Sequence, residues 1–135
     1  MIFARIARCR DGTDVLDSNV IIFATQPQHA DLRAFIAQHS PAVSAVSYVE
    51  VLGYHKHTDS ERRQLESFFA AANVLPLTGP VLDEAVRLRS QRKMSLGDAL
   101  IAATALVHGL KLVTCNTADF RWIPELTLID PLEKL

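Results

Sequence analysis

Residues 94–106 read MSLGDALIAATAL, and a helix starting there has almost no polar side. Leu100, Ile101, Ala103, Leu106 and Val107, with alanines between them, cover most of its circumference. Such a helix belongs in a core, enclosed by neighbours rather than laid on a surface. It nevertheless begins with a carboxylate, Asp98, and an unpaired buried charge is costly. A partner for Asp98 must therefore come from elsewhere.

The rest of the chain supplies a setting for that helix. DVL (14–16) reads as a short strand and SNVIIFAT, which follows it, as a short helix. Residues 28–39 place Leu32, Phe35, Ile36 and His39 at helical spacing. AVSAV (42–46) reads as a strand, with a helix beginning in SYVEVLGY. Leu65, Phe68, Phe69 and Ala72 fall on one face of a helix over 60–73. VLPL (74–77) is a strand whose Pro76 cannot donate to a ladder, which places it at a sheet edge. A helix over 80–92 precedes the apolar helix 96–108, which Gly109 ends. LKLVT (110–114) and LTLI (126–129) are the last strands.

Strands separated by helices call for right-handed crossovers and a parallel sheet covered on both faces. The expectation is one three-layer α/β/α domain over 14–135, with about five short strands. A hydrophobic content of 49% and a charged content of 21% are ordinary for a globular chain. No apolar run approaches the ~20 residues of a membrane span. Cys9 and Cys115 have neither metal-type nor disulfide-framework spacing, which fits a reducing cytoplasm. The net charge of −1 carries no overall nucleic-acid signature. Residues 1–13 hold three arginines and one acid but lack a secretory apolar region and cleavage site. They are expected to be an extension ahead of the domain, an extra strand or loose leader, outside the native start.

In parallel sheets, ligands bind beyond the carboxyl ends of the strands. Asp17 directly follows the first strand, and Glu50 lies four residues past the second, in the first turn of its helix. Asp119 lies five residues past LKLVT, and Asp98 opens the helix leading into that strand. Each acid alone has a structural explanation. SLGD (95–98) and SYVE (47–50) fit the capping-box pattern, while LDSN and TADF fit turns. A cap explains one helix; it does not explain four acids assigned to one end of one sheet. Gathered carboxylates raise one another's pKa unless a cation compensates them. An oxygen-only donor set suits Mg2+ or Mn2+ rather than zinc. Such a site most often handles phosphate esters.

With these residues in hand, the chain resembles the PIN-domain nucleases, specifically the VapC-type toxins of bacterial toxin–antitoxin pairs. The stretches that carry the resemblance are DVLDSNVIIFA, VSAVSYVEVLGY, MSLGDALIAATAL and LVTCNTADF, in family order over about residues 14–131. The resemblance implies a PIN-like sheet in the order 3-2-1-4-5, with the third strand at an edge. It implies a metal-dependent endoribonuclease with Asp17, Glu50, Asp98 and Asp119 as its acidic site. Asp17 and Asp98 would be the principal Mg2+ ligands, and Glu50 and Asp119 would complete the set. Ser18 and Asn19 match polar positions beside the first acid, and Thr114 and Asn116 match positions near the fourth. A water activated at the metal would attack an RNA phosphodiester, leaving a 5′-phosphate and a 3′-hydroxyl. A small cognate antitoxin that blocks the groove is implied as partner, as is a homodimer formed through helices of the first half of the fold. The family starts within a few residues of its first strand, whereas about a dozen precede it here.

RNA needs cations nearby. With four of the 15 acids set aside for the site, 11 remain against 14 basic residues. Arg92, Lys93 and Arg121 flank the acidic segments and are the candidates for phosphate contact. The histidines of HKH (55–57) are expected in an exposed loop, not on a metal, and Phe120 and Trp122 as core aromatics. A phosphoacceptor signalling domain would need adjacent acids near Asp17 and a lysine after its strand, but Lys111 is at the wrong end. A haloacid-dehalogenase-type phosphatase would need an acid where Asn19 stands. The remaining alternative is a catalytically silent PIN-like module that binds RNA or protein.

Overall fold

The computed structural model describes residues 13–133, so the expectation for 1–13 lies, but for Thr13, outside the described residues. Twelve elements follow one another: β1 (Asp14–Leu16), α1 (Ser18–Ala24), α2 (Ala30–His39), β2 (Ala42–Ser44), α3 (Ala45–Leu52), α4 (Asp59–Ala71), β3 (Val74–Leu75), α5 (Gly79–Gln91), α6 (Leu96–His108), β4 (Lys111–Val113), α7 (Thr117–Phe120) and β5 (Leu128–Ile129). The strands form one sheet in the order β3-β2-β1-β4-β5, and every pairing is parallel. The short edge strand β3 pairs with β2 alone, and Pro76 lies just past its end.

Alternation along the strands builds the two cores. Val15, Ala42 and Leu112 face one side, packing with Val81, Leu88, Ile101 and Phe120 from α5, α6 and α7. Their neighbours Leu16, Val43 and Val113 face the other, with Ile21, Ile36, Val51 and Leu65 from α1 to α4. Successive strand side chains point to opposite faces, and burial on both faces is what an all-parallel sheet requires. Fully burying a leucine or isoleucine contributes roughly 1.5–3 kcal/mol.

Local chemistry sets the helix limits. The Thr58 hydroxyl accepts from the Glu61 amide while the Glu61 carboxylate accepts from the Thr58 amide, a complete capping box opening α4. Thr78 caps α5, and Pro80 occupies its first turn. The all-apolar helix α6 is enclosed as its composition demands, with seven consecutive residues, Ala99 to Ala105, buried. It ends at Gly109, whose φ of 64° is the left-handed conformation that glycine adopts without strain.

Several expectations need correction. β2 stops at Ser44, because the Ser44 hydroxyl accepts from the Val46 amide and starts α3 two residues earlier than the apolar run suggested. Glu50 therefore sits in the second turn of α3, and SYVE is not a capping box. TADF is not a turn but the short helix α7. Of the two HKH histidines, only His55 is exposed; His57 is half-buried, with Nε2 2.7 Å from the Val51 carbonyl. Phe120 is core, as expected, whereas Trp122 is only half-buried.

Candidate active site

Asp17 stands where β1 gives way to α1. Its amide donates to the Val113 carbonyl of β4 (2.9 Å), so the residue is fixed by the sheet before the helix begins. Although it is the N-cap of α1, its carboxylate makes no cap bond. Instead, Oδ2 accepts from the Thr114 hydroxyl at 2.8 Å. Asp17 and Thr114 are both buried. Burial pushes the Asp17 carboxyl up to about 6, and the negative charges of Asp98 and Glu50 push the same way. The Thr114 hydroxyl and the Ser18 amide pull against that rise without cancelling it.

Ser18 opens α1 and reaches across to α3. Its hydroxyl donates to Glu50 Oε1 at 2.7 Å and lies 2.8 Å from the buried hydroxyl of Ser47. One turn of α3 thus carries both Ser47 and, three residues on, the acid. Asp98 is the third residue of α6, where the Ser95 hydroxyl accepts from its amide at 3.1 Å. The capping box is complete in α4, but only its serine half forms in α6. Asp98 is half-buried, and burial raises its carboxyl, with the charges of Asp119 and Glu50 adding to the effect and Ser95 opposing it. Asp119 lies exposed on α7.

Hydrogen bonds therefore tie Asp17 to Thr114 and Ser18 to Glu50, while the charge of Asp98 acts on Asp17 and that of Asp119 on Asp98. Asn19 and Asn116 are exposed, and Asn116 heads α7 with no side-chain cap bond. Among the described residues, no three His, Cys, Asp or Glu side chains are set close enough to hold one ion together. Arg92, Lys93 and Arg121 are exposed. The Arg92 guanidinium lies 5.6 Å from the centre of the Trp122 ring, which brings the α5–α6 junction beside the end of α7. Arg121 donates to the Thr117 hydroxyl at 3.0 Å.

Sequence reasoning missed Ser47, because its spacing to Glu50 imitates a cap. It also passed over Gly97, an isolated glycine inside a helical pattern, which is the one signal that a close approach leaves.

A model of the PIN domain family matches residues 15–126, and the chain belongs to that family. Within it, the chain is 36% identical over 90 residues to Ribonuclease VapC10 of Mycobacterium tuberculosis, a match covering 63% of this chain and 66% of that relative, just under two thirds of its length. Among solved structures it is similar to a toxin–antitoxin complex from Klebsiella pneumoniae, with 26% identity, 90% of this chain and 99% of that one covered, and a TM-score of 0.72. It also matches a DNA-bound VapBC from Salmonella typhimurium, with 22% identity, 88% and 98% covered, and a TM-score of 0.79; this likeness concerns the fold. Among the described residues no helix is long and apolar enough to cross a membrane.

Proposed function

We propose that this protein is a VapC-type toxin, a Mg2+- or Mn2+-dependent endoribonuclease that hydrolyses RNA phosphodiester bonds. The observation that carries the reading is the Asp17 centre: a buried carboxylate, held off its helix cap, facing Asp98 and Glu50 from two other elements. Nothing in helix capping requires that arrangement. The relative named as a ribonuclease supports the same activity.

The donors fit the cation. They are carboxylate oxygens only, and Mg2+ keeps several waters and needs just one or two carboxylates. Asp17 and Asp98 would hold it, with Glu50 and Asp119 completing the acidic wall. A cation bound there would supply an activated water and neutralise charge on the phosphoryl group; the expected products are a 5′-phosphate and a 3′-hydroxyl. The chain's own residues do the rest. Thr114 fixes the Oδ2 oxygen of Asp17. Ser18 turns the Glu50 carboxylate inward. Arg92, Lys93 and Arg121 would receive the phosphates flanking the scissile bond, with Arg92 braced on Trp122. Residues 14–135 form the nuclease domain in this reading, with 1–13 as an extension ahead of it. A small antitoxin that blocks the groove and a second copy in a homodimer are its partners, in the cytoplasm. The toxin–antitoxin complex from Klebsiella pneumoniae among its structural neighbours supports the antitoxin.

The test is cleavage of a structured RNA by the purified protein in Mn2+ or Mg2+, with EDTA and Asp98→Asn in parallel. Asparagine leaves the Ser95 cap on the residue-98 amide intact and removes only the charge. Cleavage lost in both arms is expected. RNA binding with no metal-dependent products would instead identify the silent binding module.

A further inference from the structure

We infer that Gly97 is a positioning residue, and that its missing Cβ is the space in which the Glu50 carboxylate rests beside Ser18. The inference rests on the metal-nuclease reading above and concerns how one of its acids is seated.

Gly97 is the second residue of α6. A Cβ built there would lie 2.9 Å from Glu50 Cδ and 3.2 Å from Oε1, and it would overlap Oε2 outright. The backbone does not call for glycine at this point: Gly109, not Gly97, is the glycine with positive φ among the described residues. Alanine is also the better helix former. The requirement is therefore for room.

The opposite wall of the seat is polar. Ser18 has one hydroxyl proton and gives it to Glu50 Oε1 at 2.7 Å. Ser47, at 2.8 Å from the Ser18 oxygen, must then be the donor of that pair. A chain of hydroxyls from Ser47 through Ser18 thus ends on Glu50, and the carboxylate is held between it and the bare α-carbon of Gly97. Two helices far apart in sequence meet at this acid, which explains how an exposed residue on α3 is kept facing α6.

The obstruction that an alanine meets is the far end of a flexible side chain, not backbone or packed core. Glu50 can swing into solvent, so Gly97→Ala displaces the acid without disturbing the fold. This separates a seat from a merely structural glycine.

The test is Mn2+ titration by calorimetry on the full chain, with thermal melting alongside, for wild type, Gly97→Ala, Glu50→Gln, the double variant and Gly79→Ala. Gly79, at the start of α5, has open space where its Cβ would be and serves as the control. Gly97→Ala is expected to weaken Mn2+ binding about 10-fold, within the range for residues that orient ligands, with a melting temperature equal to wild type or higher. Its effect should disappear in the Glu50→Gln background, where the charge it displaces is already gone. Gly79→Ala should leave Mn2+ binding unchanged. Wild-type affinity in Gly97→Ala, with Glu50→Gln weakened, overturns the role of Gly97 alone. An additional loss in the double variant also overturns it. A wild-type protein that binds no Mn2+ removes the metal centre, and this inference with it.

Discussion

Asp17→Asn, measured in EDTA, is expected to make the protein more stable above pH 6 and to change little near pH 4. The carboxyl of Asp17 rises from 3.8 to about 6 because it is buried, with Asp98 and Glu50 adding to the rise. Between those two values the native state holds a proton that the unfolded chain has released. Stability in that window therefore falls as pH increases, and it is flat above the native value. At ~1.4 kcal/mol per pH unit, holding Asp17 ionised at pH 8 costs the fold roughly 3 kcal/mol. Asparagine keeps an oxygen for the Thr114 hydroxyl to reach, but it carries no charge. Any cost of exchanging acid for amide is read at pH 4, where wild type is also neutral at this position. The gain from pH 4 to pH 8, variant minus wild type, then isolates the charge. It corresponds to roughly 10 °C in melting temperature for a chain of this size. Melting both proteins at half-unit pH intervals by circular dichroism checks it. A difference that stays constant from pH 4 to pH 8 would refute the reasoning, since Asp17 would then ionise as an ordinary surface acid.

Two further substitutions test the surroundings. Thr114→Val removes the donor to Asp17 Oδ2 and leaves a buried carboxylate short of a partner. Urea denaturation at pH 8 should show a loss of about 1–3 kcal/mol, with a smaller loss at pH 4, where the carboxyl is neutral. Thr58→Ala opens the capping box of α4, a helix that carries none of the four acids; it should cost about 1 kcal/mol in the same assay and leave Mn2+ binding at the wild-type level.

What could be read from the chain, and what could not, follows the range of the forces involved. α6 was legible because seven buried residues in succession require apolar or small side chains on every face. The alternation of strand and helix was legible for the same reason, although the order of the strands came from family resemblance and not from any local signal. Glu50 was misplaced by a turn because Ser47 stands three residues before it, which imitates a cap. Ser47 in fact bonds to Ser18, 29 residues away, a choice that no local pattern records. The Arg92–Trp122 contact was invisible, and Gly97 left no more than an isolated glycine as its mark, for a related reason: each has meaning only against a partner from another segment.

The sheet's outer edges carry one more consequence. β3 and β5 are each two residues long, with Pro76 directly after the first and Pro131 two residues after the second. An edge that short, closed by a residue without an amide proton, offers almost no ladder for a foreign strand to extend. The fold is thereby guarded against edge-to-edge aggregation when the protein accumulates. Among the described residues it offers equally little to a binder that works by strand addition, which favours partners received by side chains on its helices and loops.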